Sequence, residues 1–262
     1  MRTLILLLTV LVAAACARSV RTDNLQTLKR VWHQADEETL VVFDVDEVLI
    51  TLEDRTRDTF GHPTFRQLAR EATAQAVTEE QKAAIEHKLS LKYVLPRRVL
   101  VEETTPALIQ ELQSRGIKTI ALTACRTGPY GVLESLERWR IEDLLSFEID
   151  FSQAFPEIDR HLYHDLVPPG ARYVPAFEKG CIFSAETPKG KVLKAFLERH
   201  QLHPRRVIFV DDLLSNHKSV RGELEPLGIE VISVHYQGAR RFLRQTVDDQ
   251  QVRDQFHRLF AE

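Results

Sequence analysis

Four short apolar runs, β-branched and bounded by polar residues, punctuate the chain: Thr39–Phe43, 117–122, 207–210 and 229–234. A strand buried on both faces reads as a near-continuous apolar run, whereas a half-exposed strand alternates. Each run therefore predicts a central strand of a parallel sheet. Spacing calls for a fifth strand, which either 145–149 or Cys181–Phe183 supplies, the second being favoured.

Helical patterns fall between these runs. Thr105 reads as an N-cap, with Pro106 at the first helical position, a helix over 107–115, and Gly116 just beyond its end. Thr187-Pro188 repeats that start signal before 189–200, and a further helix follows Asn216 and ends near Gly228. Strand and helix alternate, so the expectation is an α/β fold with a doubly wound, mostly parallel sheet.

Two stretches break the alternation. Residues 53–101 carry two polar helical patterns, 63–76 and 79–93, and read as an inserted helical cap. Residues 151–180 are rich in Pro, His and aromatics without a period and read as a long loop or small hairpin insert. The tail over 245–262 places Val252, Phe256 and Leu259 on one stripe of an amphipathic helix.

Composition changes this picture little. The chain has 262 residues, 44% hydrophobic and 28% charged, with net charge −3, which suits one main α/β domain and carries no nucleic-acid footprint. The N-terminus does change it. Arg2 precedes an apolar run over 4–15 that is too short to span a bilayer, which is the pattern of a signal peptide over 1–16. Ala13-Ala14-Ala15-Cys16 resembles a bacterial lipobox, although Ala13 stands where such boxes usually carry Leu. Small-x-small cleavage fits as well, so an exported soluble periplasmic protein and a membrane-anchored lipoprotein stand level. Three cysteines exclude a disulfide framework. In an oxidising compartment Cys125 and Cys181 could still form one bond, with buried free thiols as the default.

The ends of the predicted strands hold the candidate chemistry, because ligands of open α/β sheets bind outside the carboxyl ends of the strands. The first run ends Asp44-Val45-Asp46-Glu47, the second at Thr123, and the third Asp211-Asp212-Leu213-Leu214-Ser215-Asn216. Acids gathered from two strand ends repel one another, and burial adds to the cost. A divalent cation removes that cost, and an all-oxygen ligand set suits Mg²⁺. No His/Cys cluster with zinc spacing competes. Lys189 at a predicted helix start adds a positive charge, with Lys191 as an alternative on the same turn. Arg126 is a possible substrate contact, and His161, His164 and His235 carry no assignment.

Asp44-Val45-Asp46 after an apolar strand resembles the first motif of the haloacid dehalogenase-like (HAD) superfamily. Thr123 resembles the second, Lys189 the third, and Asp211-Asp212 with Asn216 the fourth, in the family's order across residues 38–237. The resemblance implies a HAD Rossmann-like core and a Mg²⁺-dependent phosphomonoesterase acting on a small-molecule phosphate ester. It implies Asp44 as nucleophile, forming an aspartyl-phosphate, and Asp46 as general acid and base. Thr123 and Lys189 would bind the phosphoryl oxygens. Asp44, the Asp46 backbone carbonyl and Asp212 would hold Mg²⁺, with Asp211 on a metal-bound water; many relatives carry Gly at that position. The signal segment, Lys189-Gly190 and Tyr236-Gln237-Gly238-Ala239 further resemble an exported bacterial HAD-like family of unassigned function. Competing readings are a class C acid phosphatase-like lipoprotein, suggested by Cys16 and Asp44-Val45-Asp46-Glu47, and a non-catalytic Mg²⁺-binding surface or interaction protein. A dehalogenase would leave Asp46 without a task.

Overall fold

The computed structural model describes residues 19–53, 56–242 and 247–261. The signal segment with Cys16 lies outside them. Ten strands occur among these residues: β1 (Ser19–Thr22), β2 (Thr39–Phe43), β3 (Ile50–Leu52), β4 (Arg98–Leu100), β5 (Lys118–Thr123), β6 (His161–Leu162), β7 (Ala176–Glu178), β8 (Cys181–Phe183), β9 (Arg206–Asp211) and β10 (Glu230–Tyr236). Eight form one sheet in the order β1-β10-β9-β2-β5-β8-β7-β6. All pairings from β1 across to β8 are parallel, while β6–β7 and β7–β8 are antiparallel. The expected α/β architecture with a mostly parallel sheet is the observed one.

Burial explains why β2 forms where its sequence says. All five of its residues are buried, and they alternate between two cores. Val41 and Phe43 face a core shared with Leu108, Ile109 and Leu112 of the helix Thr105–Ser114. Leu40 and Val42 face another, shared with Val192, Leu193 and Phe196 of Lys189–Arg199 and with Val220 and Leu224 of Leu214–Leu224. Helices on both faces make the sheet doubly wound. Each large side chain so buried contributes about 1.5–3 kcal/mol relative to exposure, so a charge within β2 would be severe on either face.

The fifth central strand is β8, and residues 145–149 form no strand. Lys179-Gly180 between β7 and β8 takes positive φ at both positions, 47° and 76°, as a two-residue hairpin turn requires. A Cβ on Gly180 would lie 2.0 Å from the Phe151 carbonyl oxygen, so only glycine fits. Thr105 is not the N-cap. It is the first helical residue, Thr104 is the cap, and neither uses its hydroxyl to close the helix; the Thr105 amide instead donates to the Glu102 carbonyl at 3.0 Å.

The insert after β2 is framed by a two-stranded antiparallel pair, β3 with β4. Between them lie the helices Thr56–Gly61, Pro63–Gln75 and Glu79–Val94, the last opened by a capping box from Thr78 and Gln81. Their apolar faces form a small core of their own around Phe65 and Leu89, completed by Val252 and Phe256 of the C-terminal helix Asp249–Ala261. No helix among the described residues is long and apolar enough to cross a membrane.

Candidate active site

The switch point of the sheet lies between β2 and β9. From β2 the chain crosses to β5 and β8 on one side, then returns to β9 and β10 on the other. The diverging connections leave a crevice at the carboxyl ends, and two acids close it. Asp44 follows β2 directly, its amide donating to the Val210 carbonyl at 2.8 Å. Asp211 is the last residue of β9 and fully buried.

Lys189 joins them. It opens the helix Lys189–Arg199, is 3% exposed, and its Nζ lies 2.7 Å from Asp44 Oδ1 and 2.8 Å from Asp211 Oδ2. Gly190 beside it permits this placement, because a Cβ there would meet the Ser219 carbonyl oxygen at 2.2 Å. Lys191 is exposed, so of the two candidate lysines Lys189 reaches the acids. Asp211 is further held by the Leu213 amide at 2.8 Å and by Asn216 Nδ2 at 3.0 and 3.1 Å to its two oxygens.

Asp44, Asp211 and Asp212 each offer a carboxylate oxygen within 4.8 Å of the others. Three carboxylates thus face one ammonium. Burial pushes the Asp44 carboxyl well above the usual range; Lys189 opposes that rise and Asp211 adds to it. For Lys189, burial works against the charge, but Asp44 and Asp211 outweigh it and raise its pKa. A hard divalent cation fits the donor set, being all oxygen, close and in excess of negative charge.

Asp46 is placed differently from the expectation that its carboxylate adds to the same acid crowd. The chain turns sharply after Asp44: the Val45 carbonyl accepts from Leu49 at 2.9 Å and Ile50 at 3.1 Å, and Glu47 takes a left-handed φ of 70°. That turn carries the Asp46 carboxylate out of the cluster to Arg140 Nη2, which donates to both its oxygens at 2.9 and 3.0 Å. Arg140 is 4% exposed and Asp46 54%. The charge expected to need a cation is met by a guanidinium from the helix Leu136–Leu145, which Asp143 also holds at 3.0 Å. Burial disfavours the charge on Arg140, yet Asp46, Cys125 and Asp143 together raise its pKa. The ligand that the resemblance implied is the backbone carbonyl of Asp46, a separate group from this carboxylate.

Thr123 ends β5 and is buried, its Oγ1 accepting from the Cys125 amide at 3.1 Å. Register pairs Phe43 with Ala121, so Thr123 lies at the same carboxyl edge as Asp44. Three groups near the site had no sequence signal. Arg140 lies 94 residues from Asp46, and nothing in its surroundings marks it. His217 is buried with Nε2 3.0 Å from the Asp211 carbonyl oxygen, and burial lowers its pKa. Lys92 of the insert lines the cleft beside Asp46. Among the unassigned histidines, His235 Nε2 sits 3.1 Å from the Asp212 carbonyl oxygen, His161 lies against Tyr163 and His200, and His164 is exposed. Cys125 and Cys181 are free thiols, pushed up to about 11 and about 12 by burial.

Among solved structures, the chain is similar to a haloacid dehalogenase-like family hydrolase of Streptococcus pneumoniae, with 15% identity, TM-score 0.41, and coverage of 78% of this chain and 97% of that one. It is similar also to a HAD family enzyme of Bacteroides thetaiotaomicron, with 14% identity, TM-score 0.40, and coverage of 76% and 92%. Likeness of that degree assigns no role to any residue here. An uncharacterized protein of Rickettsia bellii is 22% identical over 239 residues, which is 88% of this chain and 80% of that one. Residues 21–259 match the family model described as "Protein of unknown function (DUF2608)", and over that span the chain belongs to this family.

Proposed function

We propose that the protein is a Mg²⁺-dependent phosphohydrolase that cleaves small-molecule phosphate monoesters through an aspartyl-phosphate on Asp44. The observation that carries this reading is the buried Asp44–Lys189–Asp211 bridge, with Asp212 beside it, at the switch point of the sheet. A buried ion pair of this kind adds little stability compared with apolar packing. Its retention at the mouth of a crevice points to chemistry rather than to folding.

Asp44, Asp212 and the Asp46 backbone carbonyl would hold Mg²⁺, with Asp211 on a metal-bound water. When bound, the ion supplies positive charge to the transferring phosphoryl oxygens. Lys189 Nζ adds charge on the same oxygens, and the Thr123 hydroxyl donates to one of them. An Asp44 Oδ attacks phosphorus as the bond to the ester oxygen breaks, and Asp46 in its acid form gives a proton to that oxygen. Water then attacks the phosphorus of the aspartyl-phosphate, Asp46 takes its proton, and the bond to Asp44 breaks, so that both acids return to their starting states. Asp46 lines the cleft into which the leaving group would project. Its hold on Arg140 must loosen when it takes up a proton, since a guanidinium fork favours the ionised carboxylate.

Hydrolysis of an aryl phosphate, with and without EDTA, in wild type and Asp44→Asn tests the reading. Turnover that needs both the metal and Asp44 supports it. Unchanged turnover in EDTA removes the metal, and absence of turnover on any phosphate ester favours a non-catalytic Mg²⁺-binding role.

We also propose export, on the Arg2 and 4–15 pattern. Full-length chain beginning at Met1 in the cytoplasmic fraction would refute it, and mass spectrometry of the mature N-terminus separates acylated Cys16 from a soluble start.

A further inference from the structure

Two adjoining cavities lie beside Asp46, and their lining is unlike that of the catalytic crevice. The first, about 310 Å³, is bounded by Asp46, Arg140, Arg98 and Lys92. The second, about 750 Å³, shares Phe60, Gly61 and Lys92 with the first and continues past Arg126, Tyr130, Arg172 and Tyr173. A path therefore runs from the proposed acid, Asp46, under the helical insert to a larger chamber.

The smaller cavity mixes Asp46 and Glu47 with its cations, whereas charge in the larger one is one-sided. Among the described residues of the larger cavity the only carboxylate is Glu86, and Arg172 pairs with it. Lys92 and Arg126 lie over ring faces: Lys92 Nζ is 4.9 Å from the Tyr93 centroid, and the Arg126 guanidinium 4.9 Å from Tyr173 and 5.9 Å from Tyr130. Burial, and after it the neighbouring Arg126 charge, push the Lys92 ammonium down to about 8. A ring face compensates a cation only modestly. Against burial, Arg126 itself is held charged by Tyr173, Tyr93, Tyr130 and Glu186, and a buried ammonium beside such a fixed cation gains most from an anion placed between the two. The Tyr130 and Tyr173 faces would pack an apolar linker at the same time.

We propose that this cleft is a second anion site, and that the substrate is a phosphate ester whose organic group carries a further anionic group bound by Lys92 and Arg126. The inference rests on the phosphohydrolase reading, which places the ester phosphate at Asp44 and Lys189. The ester phosphate occupies the crevice, the leaving group crosses the smaller cavity, and the distal anion ends in the larger one.

Calorimetric titration in Mg²⁺ with ω-carboxyalkylphosphonates of increasing length, each against the alkylphosphonate of equal length, tests it. At the length that spans the cleft the carboxylate probe should bind roughly tenfold tighter or more, as a charge-assisted contact implies. Lys92→Met and Arg126→Gln should each shrink that ratio and leave alkylphosphonate binding unchanged. Alkylphosphonates that bind with no carboxylate advantage at any length overturn the second anion site alone, and this comparison needs no variant to fold. An advantage that survives in both folded variants also overturns it. Failure of every phosphonate and of inorganic phosphate to bind overturns the phosphohydrolase reading, and the anion site with it.

Discussion

The two ends of β2 and β9 carry the same ionic motif in opposite surroundings. At the amino end Arg205 bridges Asp36 at 2.5 Å and Glu38 at 3.1 Å; at the carboxyl end Lys189 bridges Asp44 at 2.7 Å and Asp211 at 2.8 Å. Arg205 is 48% exposed, whereas Lys189 is 3% exposed. Water screens the first bridge, and such pairs contribute little. The second has been taken out of water, so each of its charges depends on the others. Identical contacts therefore differ in meaning: one decorates a surface, and the other stores charge where a substrate phosphate and a cation could exploit it.

The sharpest way to break that comparison is Asp44→Asn. The bridge would keep its shape, yet turnover and covalent phosphoenzyme should both vanish, as read by phenolate release and acid-quench trapping. Asp46→Asn leaves the nucleophile intact and should lose about 10²–10⁴-fold in turnover from missing acid–base assistance. With an activated aryl phosphate, whose leaving group needs little protonation, the trapped aspartyl-phosphate should accumulate in Asp46→Asn. Label retained in Asp44→Asn would exchange the two roles.

Lys189→Met ranks next. Removing the ammonium leaves Asp44 and Asp211 facing each other without a counter-charge, and breaking such a buried pair costs about 3–5 kcal/mol. Urea unfolding should show that loss in the metal-free protein. Added Mg²⁺ should recover part of it, because the ion meets the same excess charge. A loss under about 1 kcal/mol would mean that the carboxylates had taken up protons instead.

Mg²⁺ itself should stabilise the wild type, by about 2.7 kcal/mol at a hundredfold excess over its dissociation constant. The pH dependence has a definite sign. The Asp44 carboxyl is raised in the fold, so the native state keeps its proton longer than the unfolded chain. Metal-free stability from this group should then fall as pH rises from near the ordinary aspartate value, about 3.9, towards the raised value. Mg²⁺ binds the ionised form, so its stabilisation should grow over the same interval. Thermal melts across pH with and without Mg²⁺ read both slopes, and a metal effect that is flat with pH would remove Asp44 from the ligand set.

Much of the strand-end chemistry was legible because it sits where burial forces the sequence to be explicit. β2, β5, β9 and β10 are covered on both faces, so their apolar runs mark them, and Asp44, Thr123 and Asp211 fall at the points where the runs stop. Lys189 is announced by the Thr187-Pro188 helix start. β1 gave no such signal: Ser19–Thr22 is an edge strand with alternating exposure and a single apolar residue. β3 and β4, three residues each, are shorter than any period can reveal. Of the cleft cations, Arg126 was marked by its place three residues beyond Thr123, whereas Lys92 and Arg140 were hidden for another reason. Lys92, Arg126 and Arg140 come from an insert helix, a loop and a core helix, and only tertiary packing brings their charges together.

Arg205→Gln is the smallest expected effect and the control for all the others. It removes the central cation of a three-residue bridge, as Lys189→Met does, on the same two strands and with the same contact lengths to within a few tenths of an ångström. Geometry alone would give the two substitutions similar consequences. Exposure separates them, because Asp36 and Glu38 are 48% and 71% exposed and regain water when Arg205 leaves, whereas Asp44 and Asp211 cannot. The expected outcome is a melting curve that overlays that of the wild type, unchanged turnover, and a response to Mg²⁺ identical to that of the wild type. A melting shift comparable to that of Lys189→Met would show that Arg205 holds the amino ends of β2 and β9 together, and that exposure is the wrong measure of the difference between the two ends.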